Sequence, residues 1–538
     1  MKDLTFPISN YLSFTRLEQK LLATPMLVVI ALTSVIGMGV NLPLFDLDEG
    51  AFSEATREML ESGDWISTYL NGEPRHDKPI LIYWCQALSV KLLGLNPIAL
   101  RLPSMIAALA WIWVTYRFTA HFINLPTARL GIWILSSSWL ATVIFKAATA
   151  DALLNLLLCL IFFDIYRYLI SPRPYRLAFV STYMGLAFLT KGPIALVLPL
   201  LTTLLTLLIS RKTTIFFRAI RHPFSWLPFI LIVLPWHIAV YLDQGWAFYK
   251  GFYLGHNLER FNQTMESHGG FIGYYFILLP FVLAPFTRHA TVLFTTFKYR
   301  QLDFSSLFLG LWFLVTLVLF SFSHTQLPHY LLYGLTPLFI LLGRQISVAE
   351  TNWIDIGIGW IWCMIVILFP YFLGIAEQTT RGIYDKAVLS QAHTIFLQEY
   401  QIIVGALLVL TTLLTSTNYI SKRNRLLILS AITMININFV SAPLLAKARQ
   451  LPVREAAEFA LSFDNNSPVN RFVSYRTALP SYSVYLQRTV ANVNSPQPGD
   501  LVFTKSSYKQ ALSNIAGAEL VFQHGGILLI WIKRLNDE

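Results

Sequence analysis

Two adjacent carboxylates, Asp48 and Glu49, follow the first apolar run of this chain and sit in an acidic segment, 44–60, LFDLDEGAFSEATREML. A carboxylate pair beside an apolar span is costly unless it does chemistry, binds a cation or faces water. Arg75, His76, Asp77 and Lys78 come next, then Lys146, Asp151 and Lys191. His256, Arg260 and His268 share a later loop, and His324, Gln326, His329 and Tyr330 a last one. Carboxylates take protons or steady a developing positive charge, whereas lysine and arginine grip phosphate. Imidazole with a carboxylate would suit Zn²⁺, and His256 and His268 with Asp77 supply those types, although no compact H-E-x-x-H motif is present.

The elements that must position these residues are apolar helices. The chain has 538 residues, of which 55% are hydrophobic and 13% charged, and its mean hydropathy is +0.55. Long apolar runs with so few charges predict a polytopic α-helical membrane protein rather than a soluble core. About thirteen spans are predicted with a window of about 20 residues. They lie near 22–43, 97–122, 127–145, 150–170, 177–190, 192–210, 226–242, 271–290, 304–322, 330–346, 353–375, 399–418 and 426–445. The 177–210 region can also be one hairpin kinked at Lys191-Gly192-Pro193. The stretch 79–95, interrupted by Gln86, Ser89 and Lys91, reads as lying in the interface.

Charge orients the spans. The net charge of +11 comes from short loops, with Arg117 and Arg129, then Arg167, Arg173 and Arg176, then Arg211, Lys212, Arg218 and Arg221. Arg288, Lys298 and Arg300, and finally Lys422, Arg423 and Arg425, continue the pattern, while the alternate loops are basic-poor. This is the positive-inside bias, which predicts a cytoplasmic N-terminus and points away from nucleic acid as the partner of the basic residues. Cys85, Cys159 and Cys363 are far apart in apolar contexts and read as packing residues. After 445 the composition shifts to a small α/β domain, with a helix at 454–462 and strands at 471–475, 483–486, 501–504 and 526–532. The expected domains are therefore 1–445 and 446–538, with outer loops 44–96 and 243–270 in the first.

On this topology the unusual polar residues all reach one membrane–water boundary, which is the makeup of a site. Single residues keep blander readings. Asp151 can simply favour the dipole at a helix start, Lys191 can snorkel, and outer-loop charges can be solvated. As a set, cations that hold a phosphate (Lys191, Arg260, Arg75 and Lys78) beside carboxylates at a lipid boundary fit glycosyl transfer from a polyprenyl-phosphate donor. The leaving phosphate needs positive charge, and oxocarbenium character favours a nearby anion. A lipid-linked sugar transporter would instead carry mid-span charges and broken helices in two matching halves. Here the polar residues gather at one surface and no repeat is evident.

Segment 48–59, DEGAFSEATREM, resembles the D-E-x-x-Y-x-E-x-x-R-E-M segment of the polyprenyl-phosphate-dependent glycosyltransferases with the GT-C fold, closest to the lipid A aminoarabinose transferases of the ArnT family. Segment 71–84, NGEPRHDKPILIYW, is similar to that family's N-G-x-x-x-x-E-K-P-P-x-x-Y-W. TAD at 149–151, LTKG at 189–192, HNLERF at 256–261, His268 with Tyr274-Tyr275, and QLPHY at 326–330 match in order, as does the small C-terminal domain. Phe52 stands for the family's Tyr, Asp77 for its Glu, and Gln326 for a common Lys.

The resemblance implies a GT-C fold with the site and the C-terminal domain on the periplasmic side of a bacterial inner membrane. It implies Asp48 as principal catalytic carboxylate, with Asp151 second and Glu49 adjacent, and Lys191 on the donor phosphate. Tyr83, Gln326 and Tyr330 would line the substrate pocket, and Asp77, His256 and His268 would stand near a divalent metal. The implied reaction moves 4-amino-4-deoxy-L-arabinose from undecaprenyl phosphate to a lipid A phosphate, a lipopolysaccharide modification that gives polymyxin resistance. The alternative is a hexose or aminohexose moved to lipid A, glycan or protein.

Overall fold

The computed structural model describes residues 15–37, 41–259, 270–295, 303–417 and 419–534. Among them, eight helices are long and apolar enough to cross a membrane: Pro97–Phe122, Asp151–Ile170, Leu227–Gln244, Phe304–Ser321, Pro328–Val348, Trp353–Thr379, Ile383–Ser416 and Lys422–Arg449. Thr24–Val35 and Ile194–Ile209 are shorter apolar helices, and Pro174–Lys191 completes the expected set around 177–190. Two expected spans are broken. Helix Leu125–Ser137 stops where Ser138 turns extended before Trp139–Ile144, in a run of three serines whose hydroxyls compete for backbone partners. Tyr274–Val282 and Thr287–Thr295 are separated at Pro285, which has no N–H to continue a helix.

Close backbone approach sets part of the bundle. A Cβ on Gly343 would fall 2.6 Å from the Gly131 nitrogen, so helices Leu125–Ser137 and Leu332–Val348 meet with no side chain between them there, as small residues permit in membranes. The kink at Lys191-Gly192-Pro193 joins Pro174–Lys191 to Ile194–Ile209. Gly192 has φ +81°, and a Cβ there would lie 2.5 Å from the Phe252 ring, so this turn requires glycine.

At one end of the bundle Arg288 bonds Asp355 at 3.1 Å and Arg423 lies 3.3 Å from Glu18, which ties together segments from the expected basic side. The other end carries the segments between Thr24–Val35 and Pro97–Phe122. Helix Asp48–Ser62 holds the acidic motif, buried from Glu49 to Met59. Leu81–Leu93 is a helix of 13 residues, about 20 Å long, shorter than the roughly 30 Å of a bilayer core.

The C-terminal sheet has the strand order Ala491–Val493, Arg471–Tyr475, Asp500–Lys505, Ile527–Ile532, Ala518–His524. The first two pairings are parallel and the last two antiparallel. Helix Leu451–Asn466 covers one face, with Val453, Ala456 and Ala460 in a core with Leu501, Phe503 and Leu529. The strand expected at 483–486 is a helix, Ser481–Leu486, whose Tyr482 stacks on Phe503 with ring centroids 4.0 Å apart. Its alternating S-Y-S-V-Y-L pattern imitates a strand, and tertiary packing overrides it. The two strands that pattern alone did not reveal, Ala491–Val493 and Ala518–His524, are the sheet edges, where an apolar alternation is not needed.

Candidate active site

The helix Asp151–Ile170 starts on Asp151, and Pro174–Lys191 ends on Lys191, so a carboxylate meets a helix N-terminus and an ammonium a C-terminus. Their ends face each other. Lys191 Nζ donates to Asp151 Oδ1 at 2.5 Å and to Tyr333 Oη at 2.6 Å, and Tyr333 Oη donates to the same Asp151 oxygen at 2.5 Å. Thr149 Oγ1 donates to Asp151 Oδ2 at 3.1 Å, and His329 Nε2 lies 3.8 Å from it. The ammonium also lies 5.2 Å from the Tyr330 ring centroid, close enough for cation–π attraction. A buried pair of this kind contributes orientation more than net stability. Lysine has three donors. Asp151 and Tyr333 take two, which leaves one for a ligand.

A second charged group lies in the 75–78 loop. Lys78 Nζ donates to Asp77 Oδ1 at 2.5 Å and Arg75 to Asp77 Oδ2 at 3.0 Å. His256 Nδ1 is 3.2 Å from Asp77 Oδ1. Burial pushes the Asp77 carboxyl up, yet Lys78, Arg75 and His256 together hold it well below the usual carboxylate range. Among the described residues no group of three His, Cys, Asp or Glu side chains is placed to hold a metal, and both Asp77 oxygens face cations.

The Asp48 side is built differently. Glu49, expected as a catalytic neighbour, is saturated: Oε1 accepts from Arg101 Nε at 2.9 Å and Ala148 N at 2.7 Å, and Oε2 from the Arg101 guanidinium at 2.6 Å and Phe45 N at 2.8 Å. It has no capacity for substrate, so its expected role is corrected to holding the loop that carries Asp48. Asp48 is exposed and, among the described residues, has no ion-pair partner. Beneath it, Asp46 accepts from Ser481 N at 3.0 Å and bonds the Ser481 hydroxyl. Burial pushes the Asp46 carboxyl up to about 7 against these bonds. Leu44 N donates to Tyr485 Oη at 2.7 Å, Arg57 to Thr489 Oγ1 at 3.1 Å, and Ser483 Oγ to Asn71 Oδ1 at 2.9 Å. The C-terminal domain thus clamps the acidic segment.

Two cavities lie on either side of the Asp151–Lys191 pair. One, of about 320 Å³, has Lys191, Lys78, Asp77, His256, Tyr330 and Tyr333 in its wall. Ile194 and Val197 of one helix and Leu319 and Phe320 of another give it an apolar flank. The other, of about 450 Å³, is lined by Asp46, Asp48, Glu49, Arg101, Lys146 and Asp151 together with an apolar wall that includes Trp139 and Val143.

Of the expected site residues, the structure thus brings Asp48, Asp151, Lys191, Lys78, Asp77, His256 and Tyr330 to these walls. Arg260 and His268 lie outside the described residues. Three others stand back. Arg75 lies 5.2 Å from the Phe52 ring centroid and braces Asp77. Tyr83 is fully buried and stacks on Phe52 at 5.4 Å. Gln326 is turned inward, its amide donating to Ser321 O at 3.1 Å. As pocket-lining residues, Tyr83 and Gln326 are corrected to supports. Sequence reasoning missed Arg101 and Tyr333. An arginine just inside a long apolar span was the signal for the first, and spacing of three from Tyr330 on a helix was the signal for the second.

A family profile described as dolichyl-phosphate-mannose-protein mannosyltransferase matches residues 77–240. An uncharacterized protein of Aquifex aeolicus is 29% identical over 366 residues, 67% of this chain and 81% of its own length. The undecaprenyl phosphate-alpha-4-amino-4-deoxy-L-arabinose arabinosyl transferase of Shewanella sediminis is 26% identical over 321 residues, 57% of each chain. The chain thus spans little more than half the length of that curated relative. In fold, the crystal structure of ArnT from Cupriavidus metallidurans bound to undecaprenyl phosphate superposes with a TM-score of 0.78 over 96% of this chain and 98% of that one, at 17% identity. The chain is thus similar to these relatives in sequence and shares the fold of this crystal structure along nearly its whole length.

Proposed function

We propose that the protein transfers a sugar, 4-amino-4-deoxy-L-arabinose in the first place, from undecaprenyl phosphate to a phosphate of lipid A at the periplasmic face of a bacterial inner membrane. The observation that carries this reading is the pair of cavities flanking Asp151 and Lys191, one with Lys78 and Lys191 in its wall and the other with Asp48. The basic helix ends tied by Arg288 and Arg423 lie on the expected cytoplasmic side, which supports the orientation.

In this reading the donor phosphate binds Lys191 and Lys78, and the prenyl chain follows the flank formed by Ile194, Val197, Leu319 and Phe320. The bond between sugar C1 and the phosphate oxygen breaks, and its electron pair stays on the phosphate, where Lys191 meets the growing charge. C1 becomes oxocarbenium-like, and an oxygen of the acceptor phosphate supplies the pair that forms the new C1–O bond. That oxygen is already ionised, so no base is needed. Asp48 then steadies positive charge on the ring and on the amino group. A hydroxyl acceptor would make Asp48 the base.

A metal at Asp77 and His256 belongs to this proposal only as a secondary expectation, and transfer unchanged by EDTA removes it. Transfer of another hexose or aminohexose is the second reading, favoured by Gln326, which stands where the family has a lysine and bonds Ser321 rather than either cavity. Mass spectrometry of lipid A from cells with and without the protein separates the two. An aminopentose increment supports the first and an aminohexose increment the second, while unmodified lipid A in both strains sinks the lipid A acceptor.

A further inference from the structure

The second cavity holds a cation that the transfer scheme does not use. Lys146 lies between Trp139–Ile144 and Asp151–Ile170, half-buried in the wall. Among the described residues no carboxylate lies within ion-pair distance of its ammonium, and its hydrogen-bond partner is the neutral amide of Asn438. Every other charge of that wall has a partner except one. Glu49 is spent on Arg101, Asp151 on Lys191, and Asp46 is held by Ser481, which leaves Asp48 and Lys146. Burial, followed by repulsion from Arg101, lowers the Lys146 ammonium to about 7, so its charge is under-compensated and gains from an arriving anion. A snorkelling lysine would instead carry its charge out to water.

Thr142, Thr149 and His329 add neutral polar groups to the wall, and Trp139, Leu140, Val143, Ile437 and Leu445 give it an apolar stretch. One anion-seeking group in an acyl-compatible wall, beside one cation-seeking carboxylate, complements a reaction in which a positively charged sugar meets a negatively charged lipid.

We propose that Lys146 is the acceptor-recognition residue of this cavity, the group that pairs with the phosphate of the acceptor lipid. The inference rests on the transferase reading and deepens it, because a phosphate at Lys146 makes Asp48 a charge-steadying group rather than a base.

The test uses the full chain in lipid nanodiscs with two probes, lipid A and enzymatically dephosphorylated lipid A, for binding and for transfer. Wild type is expected to favour the phosphorylated lipid. K146M is expected to weaken that binding about tenfold or more, the scale of one charge-assisted hydrogen bond, with undecaprenyl phosphate binding and donor KM unchanged. K146R is expected to restore the preference and, if K146M does not fold, the wild-type comparison of the two lipids decides.

Three results overturn the inference: equal binding of both lipids by wild type, an undiminished preference in folded K146M, or loss of lipid A and undecaprenyl phosphate binding together, which marks a structural lysine. Lys146-dependent lipid binding without transfer would sink the transferase reading and leave the inference standing. Normal transfer without Lys146 dependence would do the reverse.

Discussion

The two cavities spend their charges in opposite ways. On the Lys191 side each charge described has a counter-charge within hydrogen-bond distance: Lys191 with Asp151 and Tyr333, Lys78 and Arg75 with Asp77. On the other side Glu49 and Arg101 form a closed brace, while Asp48 and Lys146 have no ion-pair partner among the described residues. A fixed ion-pair lattice suits a group that returns unchanged at every turnover, such as a prenyl-linked phosphate, because its donors need no reorganisation. Charges left open suit partners that supply the opposite sign themselves. The difference is also one of support. The first cavity is walled by helices of the bundle, whereas the loop beneath Asp48 is held by the C-terminal domain through Asp46, Leu44 and Asn71.

That contrast can be broken experimentally. Asp48→Asn should cost the most, about a thousandfold in transfer, with thermal stability unchanged because Asp48 is exposed; near-normal transfer in a reconstituted assay would remove it from the reaction. Lys191→Ala should cost about a hundredfold in kcat/KM for the donor. The acceptor KM should stay in place, and a shift there would erase the distinction between the cavities. Asp151→Asn should follow the same pattern more weakly, about tenfold, since Lys191 keeps Tyr333.

Glu49→Gln should act on stability instead. It leaves the Arg101 guanidinium buried without its counter-charge, which costs about 3 kcal/mol and should lower the apparent Tm in detergent. A stable, inactive variant would return Glu49 to the catalytic set.

Asp46→Asn should have the smallest effect, read as a pH profile. Asp46 has its folded pKa raised from 3.8 to about 7, so the folded chain keeps a proton that the unfolded chain loses first. The associated stability is full below about 4 and is lost as pH rises toward about 7. Substitution should flatten that part of the profile, and an unchanged slope would show that Asp46 does not govern the clamp.

Much of this arrangement was legible in the residues. Span positions follow from hydropathy, and the convergence of Asp48, Asp151 and Lys191 follows from topology, because alternate loops must share a face. That 79–95 is not a full span was readable from its polar interruptions, and Leu81–Leu93 is a short helix. Glu49 was misread because adjacency to Asp48 says nothing about which oxygens are taken, and the bonds that saturate it come from Arg101 and Ala148, far along the chain. Gln326 was misread for the same reason: its motif position is right, but its amide turns to Ser321. Tyr485 and Ser481 were hidden by a strand-like alternation that packing folds into a helix.

The sequence by itself determined that this is a many-spanning protein with a polar site at one boundary and an α/β domain after it. Hydropathy and loop charge are properties of composition, which act through water and lipid without reference to any particular contact. Only the tertiary structure decided which charges are spent and which are left for substrate. Pairing at hydrogen-bond distance depends on side chains tens or hundreds of residues apart, as with Asp151, Lys191 and Tyr333, and no local pattern encodes that.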